Sequence, residues 1–293
     1  MQRAFFFPLI IFSAIAALLL GSISDRPLAS STSMMTAINA AQWGGNVEIH
    51  AQNNTFTLIS NGIPNHERQA EYIVPNRGVM IPEPDSAHVT ADPTVAQDYN
   101  FTIPLQPNKS TTPTSTSLGP IGVMISGAVL FNPYEADNRT IAKASNFTLK
   151  GSNGEDVPFL DRCNGHPTPR GMYHYHALPS CITQTVDQEG GASHLIGIAF
   201  DGFPIYGDRT LNGNKIQPSQ LDACNGITSP TPEFPNGIYH YVLLDAQDST
   251  SSIRCFSGQV SRNLSAFIQQ NQMPGMMPMT YVATQPTAKE PSS

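Results

Sequence analysis

The chain has 293 residues and a formal net charge of −7, and only 13% of its residues are charged. This acidic balance, without a basic stripe, argues against nucleic acid as a partner, because nothing in the chain would neutralise phosphates. The 25 prolines and 22 glycines disfavour long helices and favour short strands joined by turns. We therefore expect a mainly β protein, a sandwich-like or barrel-like domain with few short helices.

The N-terminus has the features of a secretory signal peptide. Arg3 precedes an apolar run of 16 residues, from Phe5 to Leu20, and small residues follow it. The run is marginal for spanning a bilayer, so a signal anchor is the alternative. No later segment is apolar enough to span. We predict a signal peptide over 1–21, a secreted or cell-surface protein, and no membrane insertion after the signal is removed.

The next segments predict a linker over 22–44 and a β-rich domain over 45–260. Residues 22–42 are small and mostly polar. Alternating apolar and polar residues then predict four strands, at 47–50, 55–59, 72–74 and 99–103. Beyond the domain, 265–270 has a weak helical pattern. The rest of 261–293, which is rich in methionine and proline, is expected to be disordered.

One pattern occurs twice in the second half of the domain. The segment 160–165 reads LDRCNG and leads to YHYH at 173–176, while 221–226 reads LDACNG and leads to YHYV at 239–242. An upstream IGxxxxG segment is also shared. The repetition predicts two diverged repeat units, at about 121–181 and 196–255. Within them, Asp161 and Asp222 are expected to cap the CNG turn or to orient an imidazole.

Four cysteines, two in each unit, indicate an oxidising compartment. Three pairings are possible, and repetition favours Cys163–Cys181 with Cys224–Cys255, because each unit would then carry the same disulfide. Zinc ligation by thiolates is the competing interpretation, but the chain has no close CxxC pair. Six N-x-Ser/Thr sequences are candidate glycosylation sites on exposed loops: Asn53, Asn100, Asn108, Asn138, Asn146 and Asn263.

The histidines of the repeated strand are the candidate metal ligands. Alternation places Tyr173 and Tyr175 on one face and His174 and His176 on the other. If the two units pack about a pseudo-twofold axis, His240 of the second unit would join them, and three imidazoles suit copper or zinc. Candidates for a fourth ligand are Asp201, His166 and His194. The remaining histidines, His50, His66 and His88, are expected at the surface.

Three functions are consistent with these residues. The first is a secreted, non-catalytic protein that binds a divalent metal, with copper favoured because thioethers in the tail suit Cu(I). The second is a metal-dependent hydrolase that uses the same histidines, since a bound metal with an open position activates water. The third is a structural or adhesive surface protein with scattered histidines. No GxSxG, HExxH or phosphate-binding glycine loop is present.

The paired motifs, GMYHYH at 171–176 and PNGIYHY at 235–241 with their CNG turns and IGxxxxG strands, resemble the YHYH domain family. The resemblance covers roughly residues 45–260. It implies a secreted domain of bacteria or eukaryotes, and it carries no established activity. The chain departs from the motif at Val242, where the second copy lacks the last histidine.

Overall fold

The computed structural model describes residues 31–270 and shows a mainly β protein with three short helices. The predicted signal peptide and the methionine-rich tail lie outside the described residues. Among the described residues, none of the helices combines the length and the apolar character that crossing a bilayer requires.

The N-terminal part packs one helix and two small sheets against the rest of the protein. Helix α1 (Ser31–Ala40) lies within the predicted linker, yet Met34 and Ile38 are fully buried in the main core, so this stretch is packed and not extended. All four strands predicted here are present, and the structure adds a fifth strand between the third and fourth of them. The strands are β1 (Val47–Gln52), β2 (Thr55–Ser60), β3 (Glu71–Pro75), β4 (Ala87–Ala91) and β5 (Tyr99–Pro104).

An eight-stranded sheet that curls into a half-barrel forms the centre of the molecule, in the order β11-β12-β8-β7-β13-β14-β16-β15. Its strands are short because prolines and glycines interrupt them. They are β7 (Gly122–Met124), β8 (Val129–Leu130), β11 (Gly165–Pro167), β12 (Tyr173–Tyr175), β13 (Leu195–Ala199), β14 (Pro204–Tyr206), β15 (Gly226–Ser229) and β16 (Ile238–Val242).

The remaining elements lie outside this sheet. Helix α2 (Ser180–Val186) packs beside β13, and helix α3 (Arg262–Gln270) ends the described chain where the weak helical pattern predicts a helix. Residues 218–220 form a single 3-10 turn. Two two-stranded sheets complete the fold, made by β6 (Thr114–Ser115), β9 (Thr148–Lys150), β10 (Asp156–Pro158) and β17 (Cys255–Phe256).

The two halves of the large sheet have the same internal order of pairing. In the first half β11 is antiparallel to β12, β12 is parallel to β8, and β8 is antiparallel to β7. In the second half β15, β16, β14 and β13 repeat these relations. The halves meet through the antiparallel pair β7–β13, so they join edge to edge. The strands of the first half lie between Gly122 and Tyr175, and those of the second half lie between Leu195 and Val242.

The LDxCNG sequence folds into the same turn in both halves. One carboxylate oxygen of Asp161 accepts the N–H groups of Cys163 and Gly165 at 2.8 and 3.1 Å, and Asp222 does the same for Cys224 and Gly226, at 2.9 Å each. The asparagines between cysteine and glycine have φ of 57° and 69°, a left-handed conformation that asparagine tolerates. Both aspartates therefore cap the turn.

Each turn also anchors a tyrosine and a disulfide. The second carboxylate oxygen accepts the hydroxyl of Tyr173 in the first half and of Tyr239 in the second, at 2.6 and 2.9 Å. The glycine of each turn lies against that same tyrosine ring, where a Cβ would overlap the hydroxyl. Disulfides join Cys163 to Cys181 and Cys224 to Cys255, the pairing expected from the sequence. Through these tyrosines, the turn fixes the position of β12 in the first half and of β16 in the second.

Candidate metal centre

Strand β12 separates its tyrosines from its histidines, as alternation predicts. Tyr173 and Tyr175 are fully buried in the main core, where Tyr175 shares a hydrogen bond with Ser126 at 2.8 Å. His174 and the following His176 lie on the other face, and each is only 3% exposed. The sheet is therefore covered on both faces, and the histidines belong to a second, smaller buried region.

The third imidazole of this region comes from the neighbouring strand. In the antiparallel pair β11–β12, His166 is directly opposite His174, so the two side chains point to the same face. His166 is 6% exposed. One nitrogen from each of His166, His174 and His176 lies within 4.8 Å of the others, a spacing from which three imidazoles can hold a metal ion.

Backbone carbonyls determine which nitrogens of two of these rings are available. Nδ1 of His174 donates to the carbonyl of Met172 at 3.2 Å, and Nδ1 of His176 donates to the carbonyl of Asn132 at 2.8 Å. Because a carbonyl only accepts, each Nδ1 carries the proton and each Nε2 keeps its lone pair. The two Nε2 atoms are 2.9 Å apart. The lone pairs of these two Nε2 atoms therefore face each other in the buried interior of the protein.

The third ring also has an unused nitrogen. Nδ1 of His166 is buried and has no hydrogen-bond partner. Burial, followed by the proximity of the neighbouring imidazoles, holds the pKa of His166 and His174 well below the usual value. Burial lowers the pKa of His176 to about 4. At neutral pH the three rings are uncharged, which is the form that binds metals.

Two aromatic rings enclose the histidine cluster. Phe131, at the end of β8, stacks on His174 with 3.9 Å between ring centroids, and Phe159 lies edge-on to His166 at 4.9 Å. Phe131 is half-buried and Phe159 is fully buried. The cluster therefore has apolar walls at these two rings, and of the two only Phe131 is partly exposed.

The second half of the sheet has the same register with different side chains. Ile227 is opposite His240 there, just as His166 is opposite His174. Nδ1 of His240 donates to the carbonyl of Ile238 at 3.0 Å, which matches the bond from His174 to Met172. Val242 stands where His176 stands in the first half. One histidine is thus common to both halves, and the other two are additional to the shared scaffold.

Among the described residues, the group of histidines that meet does not include His240. This corrects the prediction that His240 converges with His174 and His176. Strand β16 is five strand positions from β12 in the sheet, on the order of 24 Å when measured along it. Because the halves join through β7 and β13, β12 and β16 lie far apart along the sheet. His240 instead packs against Tyr206, with ring centroids 4.9 Å apart.

The other two candidate fourth ligands lie outside the cluster. Asp201 is fully buried and accepts hydrogen bonds from the Tyr241 hydroxyl at 2.5 Å and the Gly258 N–H at 2.8 Å. Burial raises its pKa to about 6. His194 is bound to Glu233 at 2.8 Å, on the second half of the sheet. Of the candidates for a fourth ligand, only His166 reaches the group.

Two histidines are placed differently from the sequence expectation. The sequence offers His166 only as a candidate fourth ligand, but the hairpin formed by β11 and β12 places it directly opposite His174. The loop of this hairpin contains Gly171 at a φ of 79°. His66 is half-buried and is 2.7 Å from the Tyr175 hydroxyl. It also lies beside the Cys163–Cys181 disulfide, whose sulfurs are joined and are not free thiolates.

The candidate glycosylation sites are mostly accessible. Asn146 is half-buried and its side chain donates to the carbonyl of Ile141, while the other five are exposed. Two of those five lie in regular structure and not in loops, Asn100 in β5 and Asn263 in α3.

Comparison with known proteins identifies the family. The family model described as "YHYH protein" matches residues 100–217 and 212–258, which include both halves of the large sheet and the histidine cluster. No curated protein and no solved structure was found to match the chain. The matched residues cover more than half of the chain, and the protein therefore belongs to the YHYH family.

Proposed function

We propose that this protein is a secreted, non-catalytic metal-binding protein that holds copper through His166, His174 and His176. The observation that carries the proposal is the 2.9 Å approach of two Nε2 atoms whose rings both donate through Nδ1. Ligating histidines commonly donate their other nitrogen to a backbone carbonyl, which orients the ring. Bonds of about 2.0 Å to a shared metal require these nitrogens to separate by only about half an ångström.

A cation between the rings removes an unfavourable contact. Two buried lone pairs at this distance repel unless a proton or a metal ion lies between them. A shared proton is a poor occupant at neutral pH because burial lowers the pKa of both rings. A metal would also engage His166, whose Nδ1 is buried without a partner. One metal ion therefore accounts for all three nitrogens.

The second half of the sheet supports a functional role for two of the histidines. We interpret the two halves as copies of one ancestral unit, since they share strand order, register, turn and disulfide. His240 and His174 make the same bond to a carbonyl two residues earlier, which is a structural role. His166 and His176 correspond to Ile227 and Val242, so the scaffold does not need imidazoles at those positions.

Binding is favoured over hydrolysis by the composition of the group. A hydrolytic zinc centre needs an open ligand position for water and a nearby carboxylate as a base. In the described part of the chain, no aspartate or glutamate belongs to the three-histidine group. The two disulfides and the predicted N-terminal signal peptide support secretion, and the exposed N-x-Ser/Thr sites are consistent with glycosylation.

Metal analysis of the mature protein tests the proposal. The purified protein, stripped with a chelator and reloaded with copper, is expected to retain one equivalent after gel filtration and to unfold at a higher temperature. At a free metal concentration of 1,000 Kd the gain is about 4 kcal/mol. The variant H166I/H176V copies the second half and should bind none, as should H176N, whose amide retains the bond to Asn132. The control H240N should bind as the wild type does.

Two results would overturn the proposal. One is a folded wild-type protein that takes up no copper or zinc under these conditions. The other is equal loading of wild type, H176N and H166I/H176V, which would place the metal elsewhere.

A further inference from the structure

We propose that the histidine cluster takes copper as monovalent Cu(I), bound by three imidazoles, in preference to divalent copper or zinc. This inference rests on the proposed function, because it specifies the ion held by that same site. It follows from the charge of the ligands, the burial of the cluster and the number of ligands available.

The ligands supply no negative charge. All three are neutral imidazoles, and neither a carboxylate nor a free thiolate belongs to the group among the described residues. A bound Cu(I) therefore leaves the complex with one positive charge, and Cu(II) or Zn(II) leaves it with two.

The surroundings make the second charge costly. The ligands are 3% to 6% exposed, and the rings of Phe131 and Phe159 cover them. The cost of transferring an ion from water to an apolar medium grows with the square of its charge, so a divalent ion pays about four times as much as a monovalent one. Divalent sites normally offset this cost with carboxylates, thiolates or a bound hydroxide.

The number of ligands points to the same ion. Structural Zn(II) takes four ligands in a tetrahedron, and Cu(II) prefers tetragonal N and O sets. The cluster has three nitrogens, and the phenyl face stacked on His174 at 3.9 Å contributes no ligand atom. Cu(I) has a filled d shell, imposes no tetragonal geometry, and is satisfied by three nitrogen ligands.

Competition titrations distinguish the ions. Under anaerobic conditions with ascorbate, the chelator-stripped mature protein competes with bicinchoninate for Cu(I), which gives the Kd for Cu(I). Parallel titrations with colorimetric chelators give the Kd for Zn(II) and, in the absence of ascorbate, the Kd for Cu(II). We expect the Kd for Cu(I) to be at least about 100-fold lower than the Kd for Zn(II). H176N should weaken Cu(I) binding at least about 100-fold, and H240N should not change it.

A charge variant tests the physical reason. Phe131 is half-buried and stacks on His174, so F131E brings a carboxylate next to the metal, and F131Q brings a neutral group of the same size. F131E should reduce the preference for Cu(I) over Zn(II) at least about tenfold relative to F131Q. Equal changes in both variants would refute the charge argument.

The two proposals fail in different ways. Zn(II) or Cu(II) binding as tight as Cu(I), with loss in H176N, would overturn the preference for Cu(I) and leave the metal site intact. Absence of all three ions from the folded wild-type protein would overturn the proposed function and this inference with it.

Discussion

The buried imidazole of His240 is expected to make the protein labile to acid. His240 is 2% exposed, and burial lowers its pKa to about 4, against a small opposing effect of its hydrogen bond to Ile238 and of the Glu233 carboxylate. In the unfolded chain the ring titrates near 6.5. As pH falls below 6.5 the unfolded state takes up a proton that the folded state does not, so folding stability decreases.

The size of the loss follows from the two pKa values. The contribution of His240 to the free energy of unfolding is complete above pH 6.5. It falls by about 2 kcal/mol between pH 7 and pH 5, and the total loss levels off at about 3 kcal/mol below pH 4. The substitution H240N removes the titration and keeps an amide N–H where Nδ1 donates to Ile238. The variant should therefore lose less stability in acid than the wild type.

Urea unfolding of the chelator-treated proteins at several pH values between 5 and 7 measures this difference. The free energy of unfolding of wild type, relative to H240N, should drop by about 2 kcal/mol over that range. The control is H50N, because the side chain of His50 is 62% exposed. Parallel curves for wild type and H240N would refute the assignment of a buried, neutral His240.

Three further results are expected. Replacing Asp161 by alanine should cost at least about 3 kcal/mol in urea unfolding, because Asp161 is buried. Replacing Asp222 should cost less, because its side chain is 37% exposed. Equal losses would contradict this account of the turn. Removing the Cys224–Cys255 disulfide, which spans 31 residues, should cost about 4 kcal/mol, and an unchanged unfolding temperature would show that it does not restrict the unfolded chain. G226A should prevent normal folding, seen as lost near-ultraviolet circular dichroism, because its Cβ would overlap the Tyr239 hydroxyl.

One buried histidine in each half has a structural role that needs no metal. In both halves the first histidine of the motif bonds the carbonyl two residues earlier and packs against the aromatic residue that ends the inner strand, Phe131 or Tyr206. Asp201 has a comparable explanation. It binds the Tyr241 hydroxyl, as Ser126 binds that of Tyr175. These residues hold the scaffold, and His166 and His176, which differ between the halves, are the ligands that we propose.

The sequence by itself determined the features that depend on short stretches of chain. Period-two alternation assigned the tyrosines and histidines of β12 to opposite faces, and the doubled cysteines indicated both disulfides. Each of these properties is set by neighbours in sequence or by matched positions, so no knowledge of distant pairing was needed.

Only the tertiary structure decided which imidazoles meet. The sequence pattern allowed the halves to pack with their outer strands together, which would have joined His240 to His174 and His176. Pairing of β7 with β13 instead places these two strands at the centre, so β12 and β16 lie towards opposite edges of the sheet. Strand order depends on how whole buried faces fit, and alternation within one strand carries no information about it. The hairpin β11–β12, with its own register, then brings His166 to the cluster.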